Sequence, residues 1–207
     1  MREVLKYPNV EKIDLVDLDA EMIHLFRDSD RFTKLNAEAL RSPKVTVPNA
    51  DAFRWIKEAK ETYDFIVIDF PDPSNFSLGK LYSVAFYREL TRILADDGAV
   101  AVQSTSPYVA RKSFWCVNET LKAVGLLTKP YHVLVPSFGE WGFVLASKKT
   151  LPLPSKFPDG LRFISAETWP SVFVFPRDMD RVPTEVNRLN NQMLVRYFDD
   201  EWSQYVH

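Results

Sequence analysis

Two aspartates, three residues apart, follow a short apolar run in the segment FIVIDFPDP, residues 65–73. The apolar run is bounded by polar residues and proline, which predicts a strand buried on both faces, as inside a parallel sheet. Asp69 and Asp72 would then lie beyond the carboxyl end of that strand, where ligands of such sheets bind. A carboxylate there can attract a cation and take up a proton. The structural alternative is that Asp69 caps a turn and Asp72 starts the next helix.

Two earlier segments end in the same way. The segment KIDLVDLD, residues 12–19, precedes a helical pattern that begins at Ala20. An acid at the end of the second strand of nucleotide-binding α/β folds accepts hydrogen bonds from ribose hydroxyls, and Asp17 is the candidate. Asp51 follows a strand pattern at 44–48 and is either a plain helix N-cap or a third ligand-binding acid. Strand ends of a doubly wound sheet converge, so these acids predict one crevice.

The elements that would position these acids alternate along the chain. Residues 97–98 predict a turn, Gly125 predicts a helix stop, and Ser165 is a candidate cap for a short helix. Residues 151–160 are rich in proline, which predicts an extended surface connection. The pattern predicts strands at 44–47, 63–68, 99–103, 131–135 and 141–146, the last two antiparallel, and helices from 20, at 33–40, 51–60, 83–94, 106–124 and 184–195.

Composition favours a soluble globular chain. With 207 residues and 46% hydrophobic content, the chain is long enough to bury a sizeable core. A net charge of −2 with both signs interspersed leaves no basic stripe for nucleic acid. No apolar run approaches the ~18 residues of a membrane span. The lone Cys116 is expected to be a buried small hydrophobe, and His24, His132 and His207 lack metal-ligand spacing, so no metal site is predicted.

Three motifs carry a resemblance to a known family. In order and interval, VDLD at 16–19, NADAF at 49–53 and DFPDP at 69–73 resemble the spermidine synthase family of polyamine aminopropyltransferases, over about residues 2–147. The segments PSNFSLGKLYS at 73–83 and VPSFGEWGF at 135–143 resemble a bacterial branch whose catalytic domain follows a membrane-embedded segment. The resemblance implies a Rossmann-like, methyltransferase-type doubly wound α/β sheet with a closing antiparallel pair.

The resemblance also implies roles for particular residues. Asp72 would be the catalytic base, and Asp69 would hold the aminopropyl ammonium of the co-substrate. Asp17 would bind the ribose hydroxyls, whereas Asp51 and the Ala52 backbone would bind adenine. Phe138 stands where the family is expected to have a tyrosine hydroxyl. The remaining substrate-binding candidates are Pro73, Ser74, Asn75 and Glu140.

Glycine usage bears on the extent of the domain. None of the six glycines precedes Gly79, whereas the family joins its first strand and first helix by a glycine-rich turn. Residues 2–8 resemble the end of that first helix. The resemblance therefore implies that the first strand, the glycine loop and the family's preceding β-hairpin domain are absent. One domain is expected over 1–207, with a core at 1–147 and a C-terminal extension at 148–207 packed on it.

The implied reaction moves an aminopropyl group from decarboxylated S-adenosylmethionine to putrescine, giving spermidine and methylthioadenosine without a metal. Two alternatives stay open: an S-adenosylmethionine-dependent methyltransferase on the same fold, and a catalytically inactive module that binds nucleosides or partners. The chain is expected in the cytoplasm, and the branch resemblance implies a parent protein attached to the inner membrane with this domain on the cytoplasmic side. An unpaired sheet edge or the C-terminal segment would be the contact of a homodimer.

Overall fold

The computed structural model describes residues 1–152, 154 and 156–205. Two compact units make up the chain, Met1–Ala59 and Lys60–His207. The α-helices are α1 (Ala20–Asp28), α2 (Asp30–Leu35), α3 (Ala52–Glu58), α4 (Phe76–Gly79), α5 (Val84–Ile93), α6 (Arg111–Lys122) and α7 (Met193–Ser203). The strands are β1 (Ile13–Asp14), β2 (Val45–Thr46), β3 (Tyr63–Ile68), β4 (Leu94–Gln103), β5 (Leu127–Val135) and β6 (Gly139–Ser147). Short 3₁₀ helices span Val4–Lys6, Ala39–Arg41, Lys80–Tyr82 and Trp169–Phe173. The α/β fold is confirmed, whereas the single domain over 1–207 stays a prediction.

The first unit contains a parallel pair of strands, β1 and β2. Helix α1 begins as predicted at Ala20, because the Asp19 carboxylate accepts a hydrogen bond from the Met22 backbone N–H. The predicted helix at 33–40 is wrong in position. Helix α2 starts at Asp30, and it ends at Leu35 because Ala37 and Glu38 adopt left-handed φ angles of 53° and 56°. Left-handed residues cannot continue a right-handed helix.

The second unit is built on a four-stranded sheet in the order β3-β4-β6-β5. Strands β3 and β4 are parallel, and β6 is antiparallel to both of its neighbours, which confirms the predicted closing pair. Ile68 lies opposite Val102 in the register. Asp69, which directly follows β3, and Gln103, the last residue of β4, therefore lie side by side at the carboxyl ends of these strands.

The prediction that β3 is buried on both faces is wrong. Phe65 and Val67 are 55% and 60% exposed, whereas Ile68, on the opposite face, is 4% exposed. Alternate residues of a strand point to opposite faces, so only one face of β3 packs into the core of its unit. The strand is also the edge strand of its sheet, which leaves fewer neighbours to cover it.

The predicted turn at Asp97 and Gly98 lies inside β4. The register jumps there, because Tyr63 is opposite Leu94 and Phe65 is opposite Ala99. The extra residues form an irregularity at the amino end of β4, far along the strand from Gln103. A side chain at Gly98 would come within 2.9 Å of the Asp64 carbonyl oxygen, so the close approach of the two strands requires glycine.

The long helix predicted from Ser106 is shorter than expected. Helix α6 begins at Arg111, after Ala110 with φ −123° and ψ 60°. The Ser106 hydroxyl instead accepts hydrogen bonds from the backbone N–H groups of Tyr108 and Val109, which closes a turn before the helix. Gly125, with φ +89°, follows the end of the helix as predicted.

The helix predicted at 184–195 is also wrong. Helix α7 begins only at Met193, because two asparagine side chains take the backbone bonds that a helix would need. Asn187 donates to the Gly79 carbonyl oxygen at 2.9 Å and accepts from the Leu194 N–H at 3.3 Å. Asn191 accepts from the Arg188 N–H at 2.8 Å.

The C-terminal segment is joined to α6 by polar contacts. Glu201 on α7 accepts hydrogen bonds from the Lys112 and Ser113 N–H groups and from the Ser113 hydroxyl. The Trp115 indole donates to the Met179 carbonyl oxygen at 3.0 Å. The first turn of α6 is therefore capped by a residue from the last helix.

Two sequence expectations meet the structure only in part. Within 151–160, expected to be extended, Leu153 and Ser155 lie outside the described residues, and the other positions are neither helix nor strand. Ser165 precedes the 3₁₀ helix Trp169–Phe173, and its hydroxyl accepts from the Thr168 N–H. Among the described residues, none of the helices combines the length and the apolar character that a membrane crossing requires.

Candidate active site

The Tyr82 side chain anchors the loop after β3 by hydrogen bonds to the loop backbone. The Tyr82 hydroxyl donates to the carbonyl oxygens of Phe70 at 3.0 Å and Pro71 at 3.1 Å. Its ring meets the Phe70 ring edge-on, with centroids 6.1 Å apart, and the side chain is 1% exposed. These contacts fix the backbone between Asp69 and Asp72.

Asp72 is the half-buried acid of this loop. Its carboxylate accepts a hydrogen bond of 3.1 Å from the Gln103 amide, at the carboxyl end of β4. Burial raises the pKa of Asp72 above its ordinary value, although the Gln103 amide and the Thr105 hydroxyl act to lower it. A carboxylate with a raised proton affinity is the kind of group that accepts a proton from a substrate.

The alternative in which Asp72 starts the next helix is wrong. Asn75 caps α4 instead, because its side chain accepts from the Leu78 N–H at 3.1 Å. Asp72 uses its backbone carbonyl to accept from the Ser74 N–H at 2.7 Å, so its carboxylate is not needed by the helix.

Asp69 is the exposed acid of the same loop. It follows the last residue of β3 directly. Asp69 and Asp72 flank the two residues whose carbonyl oxygens Tyr82 binds, and burial, together with their negative charges, raises the pKa of Tyr82. The structure therefore brings the two predicted aspartates together around one buried tyrosine.

The predicted substrate-binding residues of this unit differ in their burial and in their existing hydrogen bonds. Pro73 is buried, Ser74 is exposed, and Asn75 is exposed but committed to the cap of α4. The Glu140 carboxylate is in hydrogen-bond contact with His132 Nδ1, and His132 Nε2 lies 2.8 Å from the Val174 carbonyl oxygen. Glu140 is thus held in place by a histidine side chain.

The β5–β6 hairpin approaches the loop after β4. The Ser106 hydroxyl donates to the Glu140 carbonyl oxygen at 2.6 Å, and the Gly142 N–H donates to the Thr105 carbonyl oxygen at 2.8 Å. Phe138, at the hairpin turn, is 65% exposed and its ring centroid lies 5.2 Å from that of Trp141. Gly139 adopts a φ of +78°, which permits the tight turn.

In the first unit, Asp17 extends the β1–β2 ladder by an isolated bridge to Asn49. The Asn49 side chain donates to the carbonyl oxygens of Asp17 at 3.1 Å and Leu18 at 2.9 Å. One oxygen of the Asp17 carboxylate accepts from the Asp19 N–H at 2.8 Å. The acid is therefore fixed at the carboxyl end of a parallel strand, where sequence reasoning put it.

Asp51 was predicted to be either a helix N-cap or a ligand-binding acid, and in the structure it is an N-cap. Its carboxylate accepts from the Phe53 N–H at 2.7 Å, and α3 begins at Ala52. A cap uses one carboxylate oxygen, so the cap does not exclude a second role for the side chain. The convergence of Asp17 and Asp51 with Asp69 and Asp72 in one crevice stays a prediction.

Sequence reasoning missed the polar residues that support the acids. Gln103 ends β4, whose carboxyl end was predicted correctly, and its position carried the same signal as the aspartates, but the predicted site contained only acids at the strand ends. No local sequence pattern indicated the roles of the other supporting residues, because their contacts join residues far apart in sequence. These residues are Thr105, Tyr82, Asn49 and His132. Among residues 1–152, 154 and 156–205, the structure contains no cluster of three or more histidine, cysteine or acidic residues placed to hold a metal ion.

Comparison with known proteins identifies the family. The family described as "Spermine/spermidine synthase domain" matches residues 1–156. The chain belongs to the spermine/spermidine synthase family. A polyamine aminopropyltransferase of Leptospira interrogans is 50% identical over 206 residues, covering 100% of this chain and 41% of that protein. Polyamine aminopropyltransferase 2 of Ralstonia nicotianae is 52% identical over 204 residues, covering 98% of this chain and 40% of that protein.

Solved structures of spermidine synthases share the fold. The enzyme of Thermotoga maritima superposes with a TM-score of 0.73 at 24% identity, over 84% of this chain and 61% of that chain. A spermidine synthase in complex with the transition-state analogue AdoDATO gives a TM-score of 0.73 at 26% identity, over 84% of this chain and 62% of that chain. The chain spans about two fifths of the length of the curated relatives it matches.

Proposed function

We propose that this chain supplies the catalytic carboxylate and the nucleoside-binding carboxylates of a polyamine aminopropyltransferase. The Asp72 carboxylate carries the proposal: it is half-buried, has a raised pKa, and is held by Gln103 and by a loop anchored on Tyr82. Family membership and two relatives named polyamine aminopropyltransferase support it. The co-substrate would be decarboxylated S-adenosylmethionine, and the products spermidine and methylthioadenosine.

Asp72 would act as the general base. A primary alkyl ammonium has a pKa near ~10.4 by analogy with lysine, so it must lose a proton before it can attack. The Asp72 carboxylate attracts the ammonium and takes that proton. The neutral nitrogen then bonds to the aminopropyl carbon next to sulfur, the carbon–sulfur bond breaks, and its electron pair neutralises the sulfonium. Burial of Asp72 assists by raising its basicity.

The other acids would bind the co-substrate. Asp69, exposed at the end of β3, would hold the ammonium of the aminopropyl group. Asp17 would accept hydrogen bonds from the ribose hydroxyls, and Asp51 with the Ala52 backbone would bind adenine. Ser74 and Glu140 would contribute polar contacts to the acceptor amine, next to Pro73 and Asn75, which shape the loop.

The same charges argue against a methyltransferase. Ordinary S-adenosylmethionine carries a carboxylate, which Asp69 and Asp72 would repel, whereas the decarboxylated form presents only positive groups to them. An inactive binding module would have no need for a carboxylate whose basicity is raised by burial, although it would bind the nucleoside equally well.

We further propose putrescine as the acceptor, because it is an alkyl diamine that brings no carboxylate for the acids of this loop to repel. We also propose that the chain forms a homodimer. The parent protein would be attached to the inner membrane, with this domain on the cytoplasmic side. Light scattering of the purified chain tests the dimer, and fractionation of cells that express the parent protein tests its location.

The deciding experiment is a calorimetric titration of the chain with methylthioadenosine, decarboxylated S-adenosylmethionine and ordinary S-adenosylmethionine. Binding of the first two ligands, lost in Asp17→Ala, is expected. An aminopropyl-transfer assay with putrescine should then show activity that is lost in Asp72→Asn while methylthioadenosine binding is kept. Preference for ordinary S-adenosylmethionine would support a methyltransferase, and binding without transfer in the wild-type chain would support the inactive module.

A further inference from the structure

Thr105 has a backbone conformation that is unusual for its residue type. Its φ angle is +61°, although it is neither glycine nor asparagine. A left-handed conformation in a β-branched residue is an outlier, and it persists only where surrounding contacts enforce it. Such outliers cluster at functional sites, so the contacts of Thr105 are informative.

The backbone of Thr105 determines the orientation of a neighbouring amide. The Thr105 N–H donates to Gln103 Oε1 at 3.1 Å, while Gln103 Nε2 donates to the Asp72 carboxylate at 3.1 Å. If the amide were turned over, its oxygen would face the carboxylate and its NH₂ group would face the Thr105 N–H. The Thr105 N–H therefore permits only the orientation that donates to Asp72.

The left-handed turn is held in place from the other side by β6. The Thr105 carbonyl oxygen accepts from the Gly142 N–H at 2.8 Å, and the Ser104 N–H donates to the Gly142 carbonyl oxygen at 3.0 Å. A Cβ atom at Gly142 would come within 2.5 Å of the Phe114 ring and 2.8 Å of the Thr105 carbonyl oxygen. Glycine at 142 is thus required for β6 to reach the turn.

The side chain of Thr105 is also unusual. The residue is 1% exposed, and its buried hydroxyl has no hydrogen-bond partner in the part of the chain that the structure describes. The Thr105 hydroxyl acts to lower the pKa of Asp72, although no hydrogen bond joins the two side chains in this structure. A buried hydroxyl without a partner carries a cost in free energy, so its retention calls for a role.

We propose that Thr105 is a positioning residue for the transfer reaction: its left-handed backbone orients the Gln103 amide toward Asp72, and its hydroxyl is the second polar group at that carboxyl. The inference rests on the proposed function of Asp72 as the base. It extends that function by naming what sets the carboxylate's orientation and proton affinity before the amine arrives.

Three substitutions at Thr105 separate these contributions. Thr105→Val keeps the branched shape and removes the hydroxyl, and Thr105→Ser restores a hydroxyl. Thr105→Gly relieves the backbone strain and removes the hydroxyl. The pH dependence of kcat/KM for putrescine, the thermal midpoint, and the titration of the Asp72 carboxyl carbon by NMR are measured for each variant.

For Thr105→Val, the acid limb of the pH profile should move to higher pH and kcat should fall about tenfold, because the carboxyl loses a polar neighbour. Thr105→Ser should resemble the wild type. Thr105→Gly should melt at a higher temperature than the wild type and yet transfer more slowly. A purely structural role predicts instead that Thr105→Gly gains stability with an unchanged acid limb, and that result would overturn the proposal.

The carboxyl titration distinguishes this inference from the proposed function. It needs no turnover, so it can be read even if the wild-type chain transfers nothing, in which case the proposed function fails. An Asp72 titration that shifts in Thr105→Val and returns in Thr105→Ser supports the positioning role. An Asp72 titration that is identical in all three variants rejects it.

Discussion

The Tyr82 hydroxyl lies within hydrogen-bond distance of two consecutive carbonyl oxygens, 3.0 Å from that of Phe70 and 3.1 Å from that of Pro71. A phenol has one proton, so the two carbonyl oxygens share it. Both carbonyls lie between the aspartates of the loop. Tyr82 thus restrains the backbone from which Asp69 and Asp72 project.

Replacement of Tyr82 by phenylalanine should loosen this loop without changing the packing of the ring. We expect a loss of about 1 kcal/mol in the free energy of unfolding, because one hydrogen bond to the backbone disappears. Aminopropyl transfer should fall more steeply, about tenfold, since a carboxylate base must be precisely placed. Urea unfolding and steady-state kinetics check the two effects.

Tyr87 offers a matched control. It is also fully buried, but its hydroxyl has no hydrogen-bond partner among the described residues. Tyr87→Phe should therefore leave transfer unchanged and leave stability equal or higher by about 1 kcal/mol, because no bond is lost. Equal effects of the two substitutions on transfer would contradict the anchoring role of Tyr82.

Asp72 should make stability fall as pH rises. Burial raises its pKa in the folded chain above the ordinary 3.8 that the unfolded chain retains, so the folded state holds the proton more tightly. The penalty is absent below pH 3.8, grows as the pH rises towards the folded pKa, and is constant above it. Asp72→Asn should therefore be more stable than the wild type at neutral pH, with a difference that vanishes in acid.

Thermal unfolding at a series of pH values measures this difference. The exposed acid of the same loop serves as the control, because Asp69→Asn removes a charge that is in contact with solvent. Asp69→Asn should change stability by no more than about 0.5 kcal/mol. A destabilised Asp72→Asn at neutral pH would show that the carboxylate is better stabilised by its surroundings than its burial implies.

Asn187 should be important for stability although it touches no proposed substrate. It is fully buried, and its side chain bonds to the Gly79 carbonyl oxygen and the Leu194 N–H. Asn187→Ala leaves both groups unsatisfied and should cost about 2–4 kcal/mol. Leu189→Ala, at a side chain that is 49% exposed, should cost far less in the same denaturant titration.

Cys116 should not react in the folded chain. The thiol is buried, donates to the Glu185 carbonyl oxygen at 3.2 Å, and burial raises its pKa to about 12. Thiolate is the reactive form, so modification by a disulfide reagent should follow the rate of unfolding and not the pH of the native protein. Fast labelling without denaturant would contradict the buried position.

The sequence predicted those parts of the fold that depend on local patterns. Strand β3 was placed at its exact bounds, and the helix predicted at 83–94 matches α5 with its cap Ser83, because apolar runs and cap residues are local signals. The start of α7 was misplaced because the bonds of Asn187 reach Gly79, which is 108 residues away. The exposure of Phe65 was missed because the sequence of a single strand does not show whether that strand lies at the edge of its sheet.

The candidate site divides in the same way. Asp69 and Asp72 were found from their place after an apolar run. Gln103 and Tyr82, which hold that loop, meet it only after the chain has folded, so their roles cannot be read from spacing alone. The left-handed backbone of Thr105 is set by Gly142 on another strand and has no sequence signature of its own.

The cap that Glu201 provides to α6 has a consequence for synthesis of the protein. The Lys112 and Ser113 N–H groups of α6 are bound by the Glu201 carboxylate, which lies 89 and 88 residues further along the chain, respectively. During translation, α6 is made long before α7, and the amino end of α6 remains hydrated until α7 leaves the ribosome. The second unit should therefore complete its folding late, and nascent chains that stop before Glu201 should be readily degraded by proteases.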